Sequence, residues 1–498
     1  MMNRNNDQHG EDPIHQTETE TLENQLKEPP QKILIASDLH LNVGQDPETG
    51  TYSLVENFLA GNSFARWLEY YRNQAVKSAL LVLNGDIFDF DRVTDIPESD
   101  PDFTAWSEYL TQLGETKSPR ELRISISSVE KRYGLRTNDY KTAWKLMRIF
   151  SGHMTFFKAL AGWISAGGRL IFVKGNHDLE LHWPLAKKAI RMELIKQGAG
   201  EDQVKQSVAF CAEGFIIGNV YIDHGQQYEE MTAVEGDPVL KKKPDQIKLS
   251  LGSFINRYCV NKIERLDPFI DNIKPVTNAL LALLRTRPLT VFKIYFWAWR
   301  LMCRALVMRR IFNSASLLVL AGLIIPVVAL ILLVVWLVSP EVRTIVDSWI
   351  PTWLQVGGII GGLLFPAILP YLVGAVKEVI SQMPCLRAKN QLSDRVKKKL
   401  DSVFARYTPG AKVYAAMGHT HEQDILKLAA APLEQYYVNS GTWVPLWPEH
   451  RRDLIGQTKY SFISFDSDKE GVYTQHSLQW DDQAEQPRKA QILVSPFR

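Results

Sequence analysis

The chain has 498 residues, 45% of them hydrophobic and 22% charged, with a formal net charge of +2. That length allows two or three domains, and the composition is that of a folded protein rather than a disordered or fibrous one. So small a net charge excludes a global field for capturing nucleic acid, and no nucleic-acid partner is expected. The four cysteines, Cys211, Cys259, Cys303 and Cys385, are far apart with no Cys-x-x-Cys pair, so they suggest neither a thiolate metal site nor a disulfide framework and fit a reducing cytoplasmic setting.

Residues 1–30 are polar and lack the basic-then-apolar layout of a secretory signal, so a disordered tail is expected. Residues 31–235 then read as the first part of a folded domain. Lys32 to Ser37 reads as a buried strand ending at Asp38-Leu39-His40, and Leu54 to Val76 as a helix. Ala79 to Asn84 repeats the strand pattern before Gly85-Asp86-Ile87-Phe88-Asp89. The region from Asp95 to Asn138 is polar and weakly patterned and reads as a surface insertion. Tyr140 to Ala166 is a second helix, and Arg169 to Lys174 a third strand before Gly175-Asn176-His177-Asp178. Phe215 to Asp223 is a strand leading into His224-Gly225.

Residues 236–410 read as a helical membrane insertion. Ala315 to Val338 is uncharged and, at about 1.5 Å per residue, exceeds the roughly 30 Å hydrocarbon thickness. A second uncharged run covers residues 352–376, where Gly357, Gly358, Gly361 and Gly362 allow close helix packing. Together they predict a transmembrane hairpin. Basic residues flank both runs, Arg285 to Arg310 before and Lys377 to Lys399 after, which predicts a two-span, multi-pass membrane protein with its catalytic domain and both termini cytoplasmic. Val291 to Phe312 mixes aromatic and basic residues, as contact with membrane lipids would require.

Residues 411–482 resume the folded domain, with Lys412 to Met417 leading into Gly418-His419-Thr420-His421. Tyr436 to Asn439, Tyr460 to Phe465 and Gly471 to His476 are further short strands, taken as a second sheet, and 483–498 as a C-terminal tail. Two facing mixed sheets flanked by helices make a layered α/β sandwich, interrupted by the hairpin. Motifs at the C-terminal ends of its strands gather where an open α/β sheet places its site.

Carboxylate, amide oxygen and imidazole together suit divalent ions of intermediate hardness, and five motifs supply enough donors for two ions sharing one carboxylate. Mn²⁺ is favoured, with Fe or Zn²⁺ as alternatives and Mg²⁺ disfavoured by so many imidazoles. His9, His15, His153 and His182 lie outside any such motif.

The five motifs and their order resemble the calcineurin-like metallophosphoesterases, across about Lys32 to Gln227 and Lys412 to Trp480. The resemblance implies a four-layer α/β sandwich with a two-ion site. Asp38, His40, Asp86 and His421 would hold one metal, and Asp86, Asn176, His224 and His419 the other, with Asp86 bridging. It also implies that His177 contacts the phosphate or leaving-group oxygen, with Asp178 orienting or charging its imidazole. Asp89 is either a partner of a ligand histidine or a turn residue. The implied reaction is hydrolysis of a phosphoester or pyrophosphate bond by a two-metal-activated hydroxide.

Ser37 to Leu41, Gly418 to His421 and Asn439-Ser440-Gly441-Thr442-Trp443 are also similar to bacterial UDP-diacylglucosamine pyrophosphate hydrolases, which cut a lipid-linked nucleotide. Those hydrolases commonly carry Arg where this chain has His177. The phosphorylated substrate is therefore lipid-linked or soluble. A phosphatase or phosphodiesterase merely tethered to the bilayer, and a non-catalytic membrane scaffold or sensor, stand as the alternatives.

Overall fold

The computed structural model describes residues 13–234, 236–265, 272–274, 384–448, 458–490, 492 and 495–496. The chain divides into two compact units, Met1–Thr286 with Asn390–Arg498, and Arg287–Lys389. All five motifs lie in the first. That unit takes in more of the expected insertion than its sequence boundaries imply, from 236 to 286 and from 390 to 410.

Its main strands are β1 Lys32–Ala36, β2 Ala79–Asn84, β3 Arg169–Val173, β4 Val208–Cys211, β5 Phe215–Ile217, β6 Val220–Ile222, β7 Lys412–Met417, β8 Asp424–Ala429, β9 Glu434–Asn439, β10 Ser461–Ser467, β11 Tyr473–Asp481, β12 Gln486–Lys489 and β13 Ser495–Pro496. A seven-stranded sheet runs β12-β11-β10-β1-β2-β3-β4, and a six-stranded sheet runs β13-β8-β9-β7-β6-β5. Within them β1, β2, β3 and β4 are mutually parallel, as are β6, β7 and β9. Parallel pairing puts their C-terminal ends, and so the motifs, along one edge of each sheet.

Side chains that alternate along a strand face opposite layers. From β1 and β2, Leu34, Ala36, Leu81 and Leu83 join one core with Trp67, Ile149, Phe157 and Ile190 from the helices Gly61–Ala75, Asp139–Gly152, Met154–Ser165 and Pro184–Lys196. Ile33, Ile35, Leu80 and Val82 instead meet Val220, Ile222, Ala416 and Val438 in a second core between the sheets. Val413, Ala415 and Met417 face outward onto Leu392, Val396 and Leu400 of the helix Pro384–Val403. The layers are thus helix, sheet, sheet, helix.

The fold expectation needs one major correction. No helix among the described residues is long and apolar enough to cross a membrane. The longest described helix, Pro384–Val403, carries Arg387, Lys389, Arg395, Lys397, Lys398 and Lys399, and its apolar stripe is spent on the second sheet. The transmembrane hairpin and the two-span membrane placement are corrected accordingly, and neither enters the functional reading. The expected spans, 315–338 and 352–376, and the aromatic segment 291–312 lie outside the described residues.

Smaller differences have local causes. Residues Pro13–Leu26, expected in a disordered tail, form a helix whose Leu22 and Leu26 pack against the inter-sheet core. The expected surface insertion holds three helices, Asp100–Gln112, Pro119–Ser125 and Ser128–Tyr133, started by capping boxes at Ser99, Ser118 and Ser127. They bury Phe103, Trp106 and Leu122 in the first core. Two of the strands expected in the second sheet do not join it: β10 pairs antiparallel with β1, and β11 continues outward from it, followed by β12. Phe215 to Asp223 is a hairpin, turning at Gly218, whose φ of 51° is left-handed.

Candidate metal centre

The motif loops are laced to one another by backbone hydrogen bonds before any side chain is considered. Asp38 N donates to Gly85 O (3.1 Å), His40 N to Asp86 O (2.9 Å), Phe90 N to His177 O (3.2 Å) and Gly418 N to His224 O (3.1 Å). Loops held this closely leave no room for side chains at Gly85, Gly175 and Gly418. A Cβ on Gly175 would lie 2.2 Å from Asp86 Oδ1, and one on Gly418 2.3 Å from Ser37 Oγ.

Backbone conformation singles out the same residues independently. Among the described residues seven non-glycine residues have left-handed φ, and five of them are Asp38 (53°), His40 (53°), Asp86 (52°), His419 (73°) and His421 (61°). Each such residue costs about 1–2 kcal/mol, and costs of this kind persist where surrounding structure serves a site. All five are aspartate or histidine, types that enter this region more often than most side chains but less freely than glycine.

Three groups of metal-capable side chains lie here, Asp38–His40–His421, Asp86–His224–His419 and His40–Asp89–His177, and the first two hold the residues expected as ligands. In the first, His40 Nε2 lies 3.0 Å from His421 Nε2, which is 3.3 Å from Asp38 Oδ1. In the second, Asp86 Oδ2 lies 3.2 Å from His224 Nε2, and His419 completes the cluster. Asp86 Oδ2 is also 4.0 Å from His40 Nε2, so this carboxylate stands between the groups. Asn176 adjoins it, since His177 N donates to Asp86 Oδ1 at 2.8 Å. All seven residues expected as ligands are therefore brought to one place.

The donor set fits divalent cations on its own chemistry. His224 Nδ1 is 2.7 Å from the carbonyl oxygen of Asn84, which can only accept, so Nδ1 carries a proton and Nε2 faces Asp86. That Nε2 has only the Asp86 carboxylate, 3.2 Å away, as its partner in this buried position, and the buried Oδ1 of Asn176 makes no hydrogen bond. Asp38 and Asp86 are both buried carboxylates, and such charges require a compensating cation nearby. Burial opposes the charged form of Asp86, but His224 and His177 outweigh it and hold its carboxyl well below the usual range. Burial likewise opposes the imidazolium of His224, yet Asp86 pushes its pKa up to about 10. A proton thus takes the position between His224 and Asp86 that a metal would take, and metal binding releases it.

His177 stands at the accessible rim, its side chain 17% exposed where Asp86 is 2%. Its Nδ1 lies 3.1 Å from Asp89 Oδ1, and Asp89 Oδ2 lies 3.1 Å from His40 Nδ1. Asp89 is fully buried, so one carboxylate orients a ligand histidine and the rim histidine together. Burial disfavours a charged His177, but Asp89 and Asp86 prevail and its pKa is pushed up to about 10.

The imidazole pairing expected of Asp178 falls to Asp89. Asp178 accepts from Ile87 N (2.9 Å) and Gly175 N (2.5 Å), tying the β2 and β3 loops together, and burial with Asp86 nearby pushes its pKa up to about 7. Thr442, from the Asn439 to Trp443 segment, donates to Asp38 O at 2.6 Å.

Glu229 has no counterpart in the sequence reading. Left-handed Gly225 (φ 112°) and the turn Gln226–Tyr228 bring its Oε2 to 3.1 Å from His419 Nε2. With Nε2 donating to that carboxylate, Nδ1 is left as the ligand atom of His419. The hydrogen bond from His419 lowers the Glu229 pKa. A carboxylate behind a ligand histidine commonly contributes 10–100-fold to metal affinity. Glu229→Ala is expected to weaken Mn²⁺ binding by about tenfold, measured by titration calorimetry. Affinity equal to that of the parent chain would remove Glu229 from the centre.

No protein-family model matches this chain, and no curated protein matches it in sequence.

Proposed function

We propose that this chain is a divalent-metal-dependent hydrolase of phosphoester or pyrophosphate bonds. The observation that carries the reading is the convergence of two ligand groups on Asp86, with five of their residues held in left-handed backbone. Asp38, His40, Asp86 and His421 would hold one cation, and Asp86, Asn176, His224 and His419 the other. Two bound cations supply Lewis acidity toward phosphoryl oxygens and lower the pKa of a water nucleophile.

The chain's own residues supply the rest. Asp89 holds Nδ1 of His177, which leaves Nε2 to meet the substrate. As an imidazolium at the rim, His177 donates to a phosphoryl oxygen or passes its proton to the leaving-group oxygen. His421 and Glu229, each 23% exposed at the side chain, are open to solvent where Asp86 and Asp89 are buried.

The test is turnover of a phosphomonoester, a phosphodiester and a nucleoside diphosphate by the purified full chain, with metal content measured on the same sample. Hydrolysis of at least one class, lost to a chelator and restored by Mn²⁺, is expected. A chain that binds two Mn²⁺ and hydrolyses none of the three would overturn the reading.

A further inference from the structure

The segment entering the region read as an insertion reaches the site itself. The helix Leu251–Ile255, the π-helical turn Asn256–Val260 and the helix Asn261–Glu264 bury an unusually polar set: Ser253, Asn256, Arg257, Asn261 and Glu264. The π turn adds one residue to the spacing, a feature that often accompanies functional sites. Ser253, Arg257, Asn261 and Glu264 grip the motif loops or their supports, and Asn256 stands beside His177. Ser253 Oγ donates to Asn176 O (3.1 Å), Asn256 Nδ2 lies 3.4 Å from His177 Nδ1, and Asn261 Nδ2 donates to Asp91 O (2.7 Å). Arg257 donates to Gly134 O at 2.7 Å, and Glu264 pairs with Arg92 Nη1.

That last pair continues inward. Arg92 Nε lies 2.9 Å from Asp89 Oδ2, the oxygen that also faces His40, while Asp89 Oδ1 faces His177. The whole path is dry: Glu264 is 1% exposed, Arg92 4% and Asp89 0%. Asp89 has two oxygens for three cationic or donor partners, so the position of the Arg92 guanidinium decides how it divides between the two histidines. Arg92 is a long side chain with many rotamers, and Glu264 is its second anchor.

We propose that Glu264 is a positioning residue of the metal centre, fixing Arg92 and thereby Asp89, His40 and His177, so that the start of the insertion is part of the site. The inference rests on the hydrolase reading for its kinetic arm but not for its metal-binding arm.

The experiment compares the full-length parent with Glu264→Gln, which keeps the side-chain shape and removes its charge, and with Arg92→Lys on the same path. Thermal melting establishes that each variant is folded. Mn²⁺ calorimetry is expected to show binding weakened about tenfold in both, and kcat on a phosphomonoester to fall about 10–100-fold with KM within about twofold. In an Asp89→Asn background, Glu264→Gln is expected to add less than about twofold, because the two changes lie on one path. Full additivity in that background, or Mn²⁺ affinity equal to the parent's, overturns the proposal. If the parent shows no turnover, the hydrolase reading fails and the Mn²⁺ titration alone decides the role of Glu264.

Discussion

Asp86→Ala is expected to lower phosphoester hydrolysis by about 10³-fold or more and to cut bound Mn²⁺ from about two per chain to fewer than one. Asp86 is the carboxylate that both ligand groups approach, 3.2 Å from His224 and 4.0 Å from His40. Removing any other ligand costs one group a donor; removing Asp86 costs both. Two-metal stabilisation of a phosphoryl transition state is worth several kcal/mol, and each 1.36 kcal/mol is tenfold in rate, which sets the size of the loss. The same carboxylate accepts from His177 N and faces His224, so its loss also unpairs a buried imidazole. Asp86→Asn separates these roles, since the amide retains the backbone contact while losing the charge. Both variants are read by metal analysis and kcat on one preparation. Parental metal content with parental turnover in Asp86→Ala would refute the two-ion centre.

The parts legible in the sequence are those where local pattern and site coincide. Three buried strands each ending in a polar motif, Asp38, Asp86 and Asn176, imply parallel neighbours with ligands at one edge, and β1, β2 and β3 are arranged so. The three serine-capped helices between Ser99 and Tyr133 escaped the sequence reading, which followed hydrophobic periodicity, although each cap stands three residues before an acid. Other features depend on what distant segments do. Whether β10 joins the first or the second sheet turns on which sheet has an open edge beside β1, and alternation within Ser461–Ser467 cannot say. The basic residues of Pro384–Val403 suggest a membrane flank until Leu392, Val396 and Leu400 are seen to recur every fourth position and cover β7.

Within the site, ligand types and order were visible, whereas their supports were not. Asp89 serves His40, 49 positions away, and His177, and no spacing rule connects them. Glu229 is one of two adjacent acids and Glu264 lies in the region read as a membrane insertion, yet one faces His419 and the other Arg92. Left-handed backbone at Asp38, His40, Asp86, His419 and His421 is only weakly foreshadowed by residue type, because Asp and His enter that region more often than most but packing fixes where they do so.

His177→Ala is expected to lower kcat by about 10²–10⁴-fold on an alkyl phosphate while leaving bound Mn²⁺ at the parental level. The residue sits at the rim, its ring centroid 4.7 Å from that of His40, and the metal-capable group it forms with His40 and Asp89 does not include Asp86. Its imidazolium form is sustained by Asp89 and Asp86, which gives it a proton to donate at neutral pH. An alkoxide leaving group needs that proton, whereas a nitrophenolate, a far weaker base, does not. If His177 serves the leaving group, the loss on a nitrophenyl phosphate is therefore smaller than on the alkyl ester; if it serves a phosphoryl oxygen, the two losses are equal. Asp89→Asn should share the kinetic loss and, unlike His177→Ala, also weaken metal binding, because its other oxygen faces His40. An alkyl phosphate kcat within about threefold of the parent's in His177→Ala would exclude His177 from the chemical step.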